Sequence, residues 1–156
     1  MAVSTVLAQR EIKADPREVW GVITDIDGAA EVLSGVISIE RLEGEGYDVG
    51  VRWRETRRML GKEASEEMWV AAVDAPRSTT IEAESSGTRY STVFTCEPRG
   101  LGTLLSVAFT GETVNPSLGQ RLAWALFGAL GRKASEKALT RDLDDIARAA
   151  EALGRT

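Results

Sequence analysis

The chain has no histidine and only one cysteine, Cys96, among its 156 residues. Without histidine no Ser-His-Asp or Cys-His mechanism can be assembled, and the commonest metal ligand and usual neutral-pH base are missing. A single cysteine cannot close an intrachain disulfide, which fits a reducing compartment. Basic residues are outnumbered by acidic ones. There are 19 Lys and Arg against 24 Asp and Glu, a formal net charge of −5 with a pI near 4.9, so no nucleic-acid partner is expected. The longest apolar run, residues 122–130, is far shorter than the roughly 20 residues that span a bilayer. The N-terminus lacks a charged start followed by an apolar stretch, so no signal peptide is read there. A soluble, cytoplasmic protein is the expectation. The carboxylates show no metal-site spacing, and no phosphate loop or dinucleotide fingerprint is present. Neither metal nor cofactor is therefore expected. Any catalysis must rest on Glu, Asp, Lys, Tyr or Cys, or on positioning, which favours a binding protein.

What is present reads as one domain over residues 1–156, long enough to bury a sizeable core. Residues 3–13 form an imperfectly alternating first strand. Asp15-Pro16-Arg17-Glu18 starts a helix: Asp15 can cap, Pro16 suits the first helical position, and Glu18 can reach back. A second short helix is expected over residues 27–33, stopped by Gly35. Strand signals then dominate, over residues 36–42, 49–58, 63–73, 79–85, 88–97 and 103–112. Loops this short join antiparallel neighbours. Residues 116–154 read as one long terminal helix, the natural cover for the sheet, with a kink or break near Gly128 and Gly131 as one reading of its glycines.

This order, with Ile12-Lys13-Ala14-Asp15-Pro16-Arg17-Glu18-Val19-Trp20, Thr24-Asp25, Leu33-Ser34-Gly35-Val36 and Asp74-Ala75-Pro76-Arg77, resembles the START-like (SRPBCC) helix-grip superfamily. Within it the chain is most similar to the polyketide cyclase/dehydrase-like branch. The resemblance covers nearly the whole chain and implies an α+β helix-grip fold, β-α-α-β6-α. A curved antiparallel seven-stranded sheet would wrap around a long C-terminal helix. It also implies an apolar or amphipathic small molecule held between sheet and helix. Some members are cyclases or hydrolases, and many are binders or transporters.

Hairpin geometry assigns the strand faces. A turn centred on Leu60-Gly61 sets Trp53 opposite Met68, Val51 opposite Val70 and Glu55 opposite Glu66. Arg54–Glu67 and Arg58–Glu63 then fall on the other face as favourable pairs. A turn at Ser86-Gly87 sets Ala83 opposite Tyr90, Ile81 opposite Thr92 and Thr79 opposite Phe94. The next hairpin pairs Thr92 with Phe109, Phe94 with Val107 and Cys96 with Leu105. The three registers agree on one inner face, and a slip of one residue would reverse all of it.

Ligand contact is accordingly expected from Val51, Trp53, Met68, Tyr90, Thr92, Phe94, Val107 and Phe109, joined by Trp124 and Phe127 from the terminal helix. For most of these, ordinary core packing is the competing explanation. Glu55, Glu66 and Tyr90 are the catalytic candidates. Two opposed carboxylates on a half-apolar face are unfavourable unless one is protonated or each meets a cation. Alternatively they lie near an open rim, solvated or paired with Arg57. Arg52, Arg54, Arg57 and Arg58 otherwise read as a solvated ion-pair surface, and Cys96 as a small buried hydrophobe. On the terminal helix, Leu139, Leu143, Ile146, Ala150 and Leu153 form an apolar stripe, with Arg141, Asp144, Asp145 and Arg148 on the wet side. The expected function is binding of a hydrophobic or amphipathic small molecule. The alternatives are a cyclase or dehydratase using Glu or Tyr, and a non-enzymatic interaction or assembly module with a filled core, which could homodimerise through the patch around Trp124 and Phe127.

Overall fold

The structure, a computed structural model, describes residues 2–59, 61–85, 87–113 and 129–154. Strand β1 (Ala2–Ile12) leads into α1 (Pro16–Ile23) and the single turn α2 (Ala29–Val32). Six strands follow: β2 (Val36–Glu43), β3 (Arg52–Met59), β4 (Lys62–Asp74), β5 (Ser78–Ser85), β6 (Thr88–Arg99) and β7 (Gly102–Thr113). Helix α3 (Ala129–Leu153) ends the described chain. All pairings are antiparallel, in the order β1-β7-β6-β5-β4-β3-β2. From β2 to β7 each strand pairs with its sequence neighbour, because the connecting loops allow nothing longer. Only the step from β1 to β2 crosses from one edge to the other, and α1 and α2 make that crossing.

The hairpin registers read from the sequence are those observed. Trp53 lies opposite Met68 and Glu55 opposite Glu66, Ala83 opposite Tyr90, and Phe94 opposite Val107. Irregularities in β2–β3 and in β4–β5 between Val70 and Ala72 shift the pairing locally, as bulges that bend a sheet do. At α1 the full capping box forms. Asp15 Oδ1 accepts from Glu18 N at 2.9 Å, and Glu18 Oε1 accepts from Asp15 N.

Two apolar clusters hold the layers together. In one, α1 and α3 close over the β1–β7–β6 end of the sheet through Ile12, Val19, Leu105, Leu143, Ile146 and Ala150. Cys96 belongs to it as a buried thiol, and burial pushes its pKa up to about 11. The other gathers Ile26, Val51, Trp53 and Val70 near β3 and β4.

Three expectations need correction. The second helix is Ala29–Val32 rather than 27–33. Asp27 does not cap it; its carboxylate pairs with Arg41 at 2.9 Å, while Asp25 Oδ1 accepts from Gly28 N. Asp145 is not on the wet side of α3: it is 5% exposed and accepts from both the N–H and the hydroxyl of Ser34 at 2.8 Å. Two donors from the segment before β2 compensate a burial that helical periodicity alone would not assign. Leu153, placed in the apolar stripe, is half exposed at the end of α3. The helix expected from residue 116 is seen from Ala129, and its earlier part, with Trp124, Phe127 and the Gly128 side of the expected break, lies outside the described residues.

Candidate functional site

Residues of both clusters line one cavity of about 270 Å³ between the sheet and α3. From the sheet come Trp53, Met68, Ile81, Tyr90, Thr92, Phe94 and Phe109; α1 and the segment around α2 add Val22, Ile23, Ile26 and Leu33; α3 adds Leu139 and Ile146. The volume is close to the lower end of the range usual for small-molecule sites, about 300–1,000 Å³. Tyr90 stacks on Phe109 with ring centroids 5.6 Å apart. Tyr47 is fixed differently. Thr79 Oγ1 donates to Ala72 O at 3.0 Å, so the 2.7 Å contact between the two hydroxyls has Tyr47 as its donor.

Six of the ten ligand-contact candidates, Trp53, Met68, Tyr90, Thr92, Phe94 and Phe109, line this cavity. Val51 and Val107 are buried in the clusters beside it. All three catalytic candidates, Glu55, Glu66 and Tyr90, also line it.

One wall is charged. Glu55, Arg57 and Asp142 are 11%, 19% and 14% exposed at their side chains, so they form an interior group rather than a rim. Arg57 Nε donates to Glu55 Oε2 at 3.2 Å, and its Nη1 lies 3.0 Å from Asp142 Oδ2. Glu66 stands opposite Glu55 on β4, and it too is partly buried. Arg57 is therefore not part of the solvated arginine surface. It shares the parity of Trp53 and Glu55 on β3, whereas Arg54 and Arg58 face outward to Glu67 and Glu63.

Burial raises the pKa of Glu55, and Arg57 offsets this only in part. The same balance of burial against Arg57 raises Glu66 and Asp142. For Arg57, burial opposes the charge, but Asp142 and Glu55 outweigh it and raise its pKa. Tyr90 is raised by burial and then by Glu66, with a hydrogen bond to Thr88 acting against both. The arrangement can hold a proton on a carboxylate, orient a polar group, or neutralise a charge.

Arg57, Asp142, Tyr47 and the α1–α2 wall were absent from the sequence-derived site. For Arg57 the alternation of β3 was a sufficient signal. Asp142 is flanked by Leu139, Leu143 and Ile146, but nothing local to α3 distinguishes it from the acids that face water. Among the described residues, no group of three or more Cys, Asp or Glu is arranged to hold a metal ion, and no helix is long and apolar enough to cross a membrane.

An open antiparallel sheet gripping a C-terminal helix over an apolar cavity defines a START-like helix-grip protein. The chain belongs to the polyketide cyclase/dehydrase and lipid transport family, whose model matches residues 4–151. No curated protein sequence matches it. Among solved structures it is similar to TTHA0849 of Thermus thermophilus, with 23% identity, a TM-score of 0.79, and 96% of this chain and 99% of that one covered. The Zhui aromatase/cyclase of Streptomyces sp. R1128 is similar at 16% identity and TM-score 0.80, covering 96% and 94%. A START superfamily protein of Mycobacterium smegmatis follows at 15% identity and TM-score 0.77, covering 96% and 98%.

Proposed function

We propose that the protein binds a hydrophobic or amphipathic small molecule in the cavity between the curved sheet and α3, as a carrier or sequestering protein. The observation that carries this reading is the cavity itself: about 270 Å³, walled mainly by aromatic and aliphatic side chains, with a few polar and charged groups among them. Apolar walls with a few convergent polar groups are the usual form of such sites. Native mass spectrometry of freshly purified protein tests it. A co-purifying small molecule, or uptake of an added amphiphile at one per chain, supports the reading. Failure to bind any amphiphile would remove it.

A second reading, a cyclase- or dehydratase-like enzyme, is favoured by the opposed Glu55 and Glu66, whose pKa values burial raises. A carboxylic acid moved toward neutral pH is a usable general acid or base. One structural neighbour is an aromatase/cyclase, which motivates polyketide-like substrates as the first to assay. Unchanged turnover in both Glu55→Gln and Glu66→Gln would exclude these carboxylates from any such reaction.

A further inference from the structure

Among the described residues that line the cavity, the charges do not balance. Glu55, Glu66 and Asp142 face one cation, Arg57, the only Lys or Arg among the described lining residues. Arg57 spends its described ion pairs on Glu55 and Asp142. No ion pair or hydrogen bond to Glu66 is formed among the described residues, although Arg57 is near enough to act on its charge. With all four ionised, two negative charges remain uncompensated among the described lining residues, beside an apolar space. Asp25, at the link between α1 and α2, adds another carboxylate to the lining. The neutral polar groups there, the hydroxyls of Tyr47, Tyr90, Thr92 and Ser135, offer lone pairs but no positive charge.

We propose that the molecule held here is an amphiphile with a cationic nitrogen head, an alkyl- or arylalkyl-ammonium compound. Its head docks at the Glu55–Glu66–Asp142 wall and its apolar body lies along Trp53, Met68 and Phe94. The proposal rests on the ligand-binding reading and adds the sign of the ligand's charge. An ammonium supplies a further positive charge, and N–H donors for Glu66, which Arg57 does not pair with among the described residues. A carboxylate head would add a like charge in a poorly solvated space, and a neutral head would leave the surplus in place.

Without a cation, the same wall lowers its charge by keeping protons. Those facing Glu55 are Arg57 on its own strand, Glu66 on β4 and Asp142 on α3; Tyr90 of β6 faces Glu66. An ammonium head competes with the retained proton. Its affinity therefore rises with pH as the carboxylates ionise, while that of a carboxylate amphiphile falls.

The test compares three probes of one chain length, n-octylammonium, 1-octanol and octanoate, titrated at equal ionic strength and followed by tryptophan fluorescence and calorimetry. At pH 7 octylammonium is expected to bind about tenfold or more tighter than octanoate, the scale of one hydrogen bond to a charged group, with octanol between them. Glu66→Gln, a near-isosteric change at a half-buried position, should erase most of that preference, weakening octylammonium far more than octanol or octanoate. The octylammonium preference should grow between about pH 5 and 8, above the ordinary carboxylate range. Octanoate or octanol binding as tightly as octylammonium, or a preference unchanged by Glu66→Gln, would overturn the cationic assignment and leave ligand binding standing. Binding of none of the three would instead overturn the ligand-binding reading.

Discussion

Arg57 has the most consequential placement of any single residue. It is the described partner of two carboxylates that are nearly out of water, and removing it leaves both buried and unpaired. Arg57→Met should therefore lower stability at pH 7 by about 3 kcal/mol in urea unfolding. The loss should shrink near pH 5, where Glu55 and Asp142 can take up protons. The wild-type pH profile follows from the same groups. Glu55, Glu66 and Asp142 have raised folded pKa values, so between the unfolded and folded values the native state binds more protons than the unfolded one. Their contribution to stability is greatest at low pH and falls as pH rises through the folded values. The urea midpoint should accordingly increase from about pH 7.5 to about pH 5, and Glu55→Gln should flatten that slope without weakening the protein at pH 7. Asp27 acts in the opposite sense at lower pH: its pKa is held down by Arg41, so its stabilisation is lost as pH falls through the folded value.

At the scale of elements, the hairpins were open to sequence reasoning and the helix contacts were not. Short loops and outward pairs such as Arg54 with Glu67 fix the β3–β4 register, and with it the inner position of Trp53, Glu55, Glu66 and Met68. The seating of α3 adds to its apolar packing a contact of Asp145 with Ser34 across 111 positions of chain, and nothing near either residue signals that contact. Asp145→Ala should cost about 2 kcal/mol by thermal or urea unfolding, because it strands two donors that bind a charged acceptor. Ser34→Ala removes only the hydroxyl donor and should cost roughly half as much. A Ser34→Ala loss equal to or larger than that of Asp145→Ala would refute this account of how α3 is seated.

For the whole molecule, the cavity lies between elements that come from opposite ends of the chain. A ligand there touches the sheet, the α1–α2 segment and α3 together, so binding should stabilise the fold as one unit. At a free concentration about a hundredfold above its Kd, a bound amphiphile should raise unfolding stability by about 2.7 kcal/mol, measured as a shift of the urea midpoint with an unchanged slope. A shift accompanied by a changed slope would mean that the ligand alters the compactness of one of the states instead.

The sequence by itself determined the order of elements, the capping box at Asp15 and Glu18, the hairpin registers and the apolar inner face. Each of these is set by neighbours within a loop's length, where alternation, turn chemistry and charge pairing act directly. Tertiary structure decided which inner residues meet empty space and which meet packing, as with Trp53 at the cavity and Val51 beside it. It also turned Glu55 from a candidate rim acid into a buried one, because Asp142 arrives from α3 to share Arg57 with it. Whether a carboxylate is solvated or buried depends on what folds over it, and here that cover includes Asp142, 85 positions beyond the Arg57 it shares with Glu55.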